Sequence, residues 1–370
     1  MIILDVLFYS FVVVVLIQVL YYGVLFGSFA FSKAEKPKGK NLPISVIICA
    51  KNEAENISQF LPSVINQNYP NFEIVLINDA SSDETLDVFE SFKAQHNNIK
   101  IVNVENNEAF WGNKKYALTL GIKAASFDHL LFTDADCKPL STQWITKMSG
   151  YFSDQKTIVL GYGSYTPVKK SILNKLIRFE TLLTAVQYFS YAKIGLPYMG
   201  VGRNLAYHKD EFFNANGFIN HIKIRSGDDD LFINEVATAK NTALALDPKS
   251  FTTSIAKTSF KAWFRQKRRH VSTAKHYKFK HKFLLALFYI SQVLFWVFGI
   301  LLLSTLHLWP FVLGICIIRL IIQFLSLGYA AKKLKEVDLI LMLPFLEIFL
   351  LILQFCIFIN NLISKPNYWK

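Results

Sequence analysis

The chain has 370 residues, 52% of them apolar, and a formal net charge of +13. Such an apolar fraction with a mean hydropathy of +0.29 excludes a wholly soluble or disordered chain and points to membrane segments at the ends. The charge does not indicate nucleic acid, because ten Lys and Arg crowd into one acid-free stretch from Lys257 to Lys282 with no recognised nucleic-acid module beside it, and such a juxtamembrane run reads anionic lipid headgroups.

From Met1 to Phe31 the chain is nearly all apolar, with Asp5 as its one charged side chain. The run is too long for a signal-peptide core and lacks a cleavage site, so residues 1–32 are expected to form an uncleaved transmembrane anchor. Lys33, Lys36, Lys38 and Lys40 follow it, and the positive-inside rule places this flank in the cytoplasm.

Residues 43–255 form the expected soluble domain. Strands are predicted at Ile44–Ala50, Glu73–Asn78, Ile99–Val104 and His129–Thr133, with helices at Glu53–Asn66, Thr85–Gln95 and Lys114–Ser126. This alternation implies an α/β fold with a mostly parallel sheet, whose ligand crevice lies at the carboxyl ends of the strands. Polar clusters fall at those ends: Lys51, Asn52 and Glu53 after the first strand, Asn78 to Asp83 after the second, and Asp134 with Asp136 after the fourth. Side chains alternate along an extended segment, so the two aspartates of Asp134-Ala135-Asp136 leave on one side and together suit Mg²⁺ or Mn²⁺. Cys49, Cys137, Cys316 and Cys356 show no metal-ligand spacing and read as reduced thiols.

Further along, Gly200-Val-Gly202 lacks the third glycine of a dinucleotide fingerprint, which argues against NAD. The aromatic stretch Phe179 to Tyr198 suits either a core or an interfacial helix that admits a lipid. Asp228, Asp229 and Asp230 precede a predicted helix Leu231–Ala239, where acids also favour the helix dipole. Residues 256–282 are expected to form a basic interfacial helix on which Trp263, Gln266 and His270 share one stripe. In residues 283–363 the runs Phe283–Ser304, Phe311–Tyr329 and Leu339–Ile363 are each apolar enough to cross a bilayer. Lys332, Lys333 and Lys335 between the second and third agree with a cytoplasmic catalytic domain. Pro344 and Glu347 fall within the third run, which is compatible with a span or a re-entrant segment.

The series Val46-Ile-Ile-Cys-Ala-Lys-Asn-Glu, Ile77-Asn-Asp-Ala-Ser-Ser-Asp, Lys114 before Ala117-Leu118, Thr133-Asp-Ala-Asp, Gly227-Asp-Asp-Asp-Leu and Gln266-Lys-Arg-Arg-His resembles the family 2 glycosyltransferases, over about residues 43 to 275. The membrane arrangement is similar to the branch with ceramide glucosyltransferase and the polysaccharide synthases. The resemblance implies a GT-A fold and inverting transfer of a sugar from a nucleoside diphosphate, with UDP as the expected nucleotide. The acceptor would be a lipid or glycan at the cytoplasmic face of the cell (inner) membrane. It further implies that Asn52, Glu53, Asp79, Lys114 and Asp134 bind the donor, with Asp79 on the uracil and Lys114 at the uridine or diphosphate, and that Asp134 and Asp136 manage the metal. Asp229 aligns best with the general base and Asp228 second. Gly202, Asn204, Gln266, Arg269 and His270 would lie on the acceptor or diphosphate side. The family signature ends in Trp where this chain has His270, and Trp263 either supplies that aromatic face or packs in the core. A catalytically silent relative serving as a scaffold competes with the enzyme, and the intact acids favour the enzyme.

Overall fold

The computed structural model describes residues 2–33, 35, 41–105, 114–224 and 226–364; Lys36, Lys38 and Lys40 of the basic flank lie outside them. The chain opens with helix α1 (Ile2–Ala30), which carries a π-helical turn at Leu20–Phe26. Then follow β1 (Ile44–Ala50), α2 (Ala54–Ile65), β2 (Phe72–Asp79), α3 (Thr85–Lys93), β3 (Ile99–Val104), α4 (Lys114–Ala124) and β4 (His129–Phe132). The middle of the chain holds β5 (Cys137–Pro139), α5 (Trp144–Ser149), β6 (Ile158–Leu160), β7 (Gly163–Tyr165), α6 (Ile172–Lys193), β8 (Leu205–His208), α7 (Lys209–Asn214), α8 (Asp230–Val236), β9 (Thr242–Leu244) and β10 (Thr252–Ser254). The basic helix α9 (Phe260–Val271) leads to α10 (Phe279–Ser304), α11 (Trp309–Leu334) and α12 (Leu343–Ile363).

Two sheets result. The larger has seven strands in the order β3-β2-β1-β4-β8-β6-β9, the smaller three in the order β5-β10-β7. The strands β1 to β4 pair in parallel, as their unbroken apolar runs imply. β8 departs from that pattern, lying antiparallel to both β4 and β6. The first strands are buried over nearly their whole length, so their polar side chains gather where the strands end.

The domain is joined closely to the membrane helices. Phe26, Phe29 and Ala30 of α1 belong to the same buried cluster as the domain's Phe189 and Tyr191, and the Phe29 and Phe189 rings stack with centroids 5.3 Å apart. The aromatic stretch is thus a core helix: Phe179, Tyr188, Phe189 and Tyr191 of α6 are all buried. Arg178 of α6 forms charge-assisted bonds to Glu336 (2.8 Å) and Asp338 (2.8 Å) just after α11. Asn234 of α8 meets His281 of α10 at 3.0 Å. At the opposite end of the bundle, His307 Nε2 lies 3.0 Å from Asp5 Oδ1.

Candidate active site

The loops after β1 and β2 lock together by backbone bonds to short side chains. Asn52 N donates to Ser81 Oγ (3.0 Å), Ser82 N to Asn52 Oδ1 (2.8 Å) and Glu53 N to Thr85 Oγ1 (2.9 Å). Asn52 and Ala80 take left-handed backbone at φ +54° and +48°, a strained choice that the interlocked loops hold in place. Glu53 is buried and accepts from the Asn56 amide. Asp79 ends β2 with its Oδ2 buried and without a hydrogen-bond partner. Burial pushes its carboxyl up, against the pull of Lys51 and Lys114. A buried acceptor left open at the rim is suited to an N–H donor on a ligand.

Lys114, at the first turn of α4, bridges the end of β4 and the turn before α8: its Nζ lies 3.0 Å from Asp134 Oδ1 and 2.9 Å from Asp228 Oδ2. Burial alone would lower the amine, but the two carboxylates outweigh it and hold the pKa well above the usual lysine value. In return Asp228, which burial would raise, is held below the usual carboxylate range by Lys114.

Asp134, Asp136 and Cys137 offer donor atoms all within 4.8 Å of one another. Burial and then Asp134 push the Asp136 carboxyl up, with Arg203 opposing. Two carboxylates facing each other in this way fit a hard divalent cation, which would relieve their repulsion. Burial, then Asp136 and Asp134, push the Cys137 thiol well up, so it remains a soft, protonated neighbour rather than a matched ligand. Arg203 stacks over the Tyr165 ring at 4.3 Å and donates to Ser164 O at 3.0 Å.

Asp229 is held from both sides, its Oδ2 accepting from Gly202 N and its Oδ1 from Asp230 N, each at 2.7 Å. Burial, and then Asp228 and Asp230, push its carboxyl up to about 7. Gly227 sits at φ +92°, and a Cβ there would come 2.5 Å from Leu231 Cδ1, so the turn into the acid cluster requires glycine. Asp230 faces away from the cleft and accepts from Thr273 Oγ1 and Tyr277 OH. Lys115, fully buried, donates to the carbonyls of His221 (2.8 Å), Ile224 (2.9 Å) and Ser226 (2.8 Å) and so anchors the segment leading into Asp228. Sequence reasoning missed this residue, since two adjacent lysines carry no mark of which one is buried. Lys114, Asp134, Asp228, Asp229 and Gly202 line one cleft with Cys49 and Thr133.

Residues 45–201 match the family described as Glycosyl transferase family 2. The chain carries a family 2 glycosyltransferase domain. The matched stretch holds Asp79, Lys114, Asp134 and Asp136; Asp228, Asp229 and α9 lie beyond it. Poly-beta-1,6-N-acetyl-D-glucosamine synthase of Staphylococcus epidermidis is 40% identical over 93 residues, 25% of this chain and 21% of that protein. An uncharacterized glycosyltransferase of Haemophilus influenzae is 34% identical over 132 residues, 35% of this chain and 38% of the relative. The chain thus spans well under half the length of these curated relatives. A mannosyltransferase from Pyrobaculum calidifontis, solved in complex with GDP-Man and Mn²⁺, superposes with a TM-score of 0.60 at 17% identity, over 89% of this chain and 98% of its own; it shares the GT-A fold.

Beside this glycosyltransferase domain the expected acceptor-side residues divide. Gly202 lines the cleft. Asn204 does not face it: the side chain is fully buried and bonds Trp144 Nε1, Tyr162 O and Ser250 O, so it braces the loop before β8. Trp263 is 1% exposed and packs against Phe260 at 5.8 Å; it offers no free aromatic face, because its helix is seated by that ring. Gln266 and Arg269 are partly buried and His270 is exposed on α9. Desolvation and then the cations Lys267, Arg269, Arg203 and Lys114 all disfavour a charged imidazole at His270, and the last of these lines the cleft.

Proposed function

We propose that the protein is a membrane-bound inverting glycosyltransferase that moves a sugar from a nucleoside diphosphate, UDP as first candidate, to a lipid or glycan acceptor at the cytoplasmic face of the cell membrane. The observation that carries this reading is the Lys114 bridge, which brings the strand end bearing Asp134 and the acid cluster at Asp228 and Asp229 into one cleft. Beside it, at the end of β2, Asp79 would present its open acceptor to the nucleobase, with Asn52 and Glu53 at the neighbouring end of β1. Lys114 offers positive charge to the diphosphate, where negative charge develops as the leaving group departs. Asp134 and Asp136 would hold Mg²⁺ or Mn²⁺, which supplies Lewis-acid neutralisation of the diphosphate.

Asp229 takes the proton of the acceptor hydroxyl, and that oxygen bonds to the anomeric carbon as the bond to the diphosphate breaks on the opposite face. A carboxylate raised to about 7 is matched to this task near neutral pH. Gln266, Arg269 and His270 on α9 would meet the acceptor or the departing diphosphate. The basic groups support the cytoplasmic orientation: Lys333 Nζ donates to the carbonyl of Phe29 at 2.6 Å, which sets the basic last turn of α11 beside the end of α1 on the catalytic side.

The test is release of nucleoside diphosphate from UDP- and GDP-sugars by the purified full chain with Mn²⁺ and membrane lipid extract. Turnover by the wild type and its loss in Asp229→Asn are expected. No release from any sugar nucleotide would return the protein to the silent-scaffold reading.

A further inference from the structure

The last apolar helix is long enough to cross a bilayer, yet both of its ends are fixed to the catalytic side. Ahead of α12, Glu336 and Asp338 bind Arg178 of the catalytic domain. Before the middle, Phe349 meets Phe260 at the start of α9, with ring centroids 6.2 Å apart. At the far end, Arg268 of α9 donates to Asn361 Oδ1 at 3.0 Å and to Asn360 O at 3.1 Å, and Asn361 Nδ2 returns a bond to Arg268 O at 3.1 Å.

A helix of 21 residues is roughly 30 Å long. If it crossed, its end would lie beside the Asp5 and His307 contact, a bilayer away from α9. Instead α12 runs alongside α9 in the same direction. Its inner face, from Leu343 through Leu350 to Ile357, is buried in the same cluster as the catalytic domain's own core. The cluster that packs the far half of the bundle, around Phe11, Phe295 and Val312, contains no described residue of α12.

We infer that α12 does not span the membrane but stays within the leaflet of the catalytic face, reaching the polar interior of the bundle at Glu347, whose Oε1 accepts from Gln292 Nε2 at 2.8 Å, and that its outer stripe is seated in the acyl chains of that leaflet. The stripe consists of Phe345, Ile348, Ile352, Phe355, Ile359 and Leu362, all exposed and spaced by three and four along one side. Its occupant is argued from continuity and charge. Exposed apolar side chains of α10 and α11, such as Ile290 and Ile317, carry the same surface into the crossing helices. On the neighbouring helices Lys261, Lys280 and Lys282 are exposed at the level where lipid phosphates would lie, the arrangement of an interfacial amphipathic helix. The inference concerns placement in the membrane and stands apart from the assignment of the reaction.

It is tested on the full chain, with its four cysteines replaced and the protein reconstituted in vesicles of phosphatidylethanolamine and phosphatidylglycerol. Nitroxides at Phe345→Cys, Ile352→Cys and Ile359→Cys are read by collision with oxygen and with a water-soluble nickel chelate. The expected result is that all three lie within the leaflet of the catalytic face, with Ile359 no deeper than Ile352 and none beyond the midplane. Steps of about 10 Å between successive sites, the rise of seven helical residues, with Ile352 near the midplane would overturn the placement. Strong nickel contact, or protection from both reagents, would overturn the acyl-chain occupant in favour of water or a protein partner. As an independent readout of side, Asn360→Cys should react with an impermeant maleimide from the same face as Lys335→Cys. Reaction from the face that labels Leu306→Cys would refute the inference.

Discussion

Asp229 and Asp228 show how adjacent acids separate into roles. Asp228 is charged and committed to Lys114, whereas Asp229 carries the raised carboxyl at about 7. A base must be unprotonated to act, so kcat/KM should fall about tenfold per pH unit below roughly 7 and level off above it. In Asp229→Asn the rate should drop by about 10² or more and lose this inflection, while isothermal titration still detects the nucleotide. At the paired acids, excess chelator should abolish turnover and Mn²⁺ should restore it; Asp136→Ala should remain inactive with added metal while melting near the wild-type temperature. Asp79, Asp134 and Asp136 were legible in the sequence because each follows or ends a buried strand, whereas Asp228 and Asp229 showed as an acid run ahead of a helix. Asn204 and Trp263 were not, since a polar or aromatic side chain beside a site reads the same whether it meets substrate or fills the core, and bonding partners far away in the chain decide which.

The elements that carry the site depend on a few buried polar anchors. Lys115 holds the segment before Gly227 by three carbonyls, while its neighbour Lys114 on α4 turns to the cleft. Lys115→Met should therefore lower stability by about 3 kcal/mol or more, through buried carbonyls left without a donor. It should also slow transfer more than it weakens nucleotide binding. Denaturant titration and a comparison of kcat with nucleotide affinity would check both. Strands β1 to β4 were predicted to within a residue or two because each is a long apolar run. The three-residue strands β5, β6, β7, β9 and β10, by contrast, are too short to show any period. The antiparallel β8 was equally hidden, as pairing direction is set by where the chain returns and not by composition.

Across the whole molecule the bundle interior is held by a polar knot. Arg319 Nη2 lies 2.6 Å from Glu347 Oε1, with Gln18, Gln323 and Tyr22 also bonded to the guanidinium. Glu347→Ala would leave that buried cation unpaired and should cost about 3–5 kcal/mol, whereas Arg319→Met with Glu347→Leu should cost much less. Thermal unfolding in detergent micelles would separate the two. The sequence left α12 open between a span and a re-entrant segment. A helix with one face in a protein core and the other in lipid is apolar all round, as a crossing helix is, and the distinguishing contacts come from Arg178 and Arg268, on other helices.

The domain meets the bundle through Arg178 with Glu336 and Asp338, Asn234 with His281, and Phe29 against Phe189. With so many joints the cleft stands at a fixed height above the bilayer, and the enzyme acts as a gauge. If the acceptor is the proposed lipid, it would react only when its hydroxyl rises from its membrane anchor by that height. Synthetic acceptors that differ solely in spacer length should show a sharp optimum in kcat/KM, and Arg178→Ala, which loosens one joint, should broaden it. A flat response to spacer length would show that the domain rides freely over the membrane.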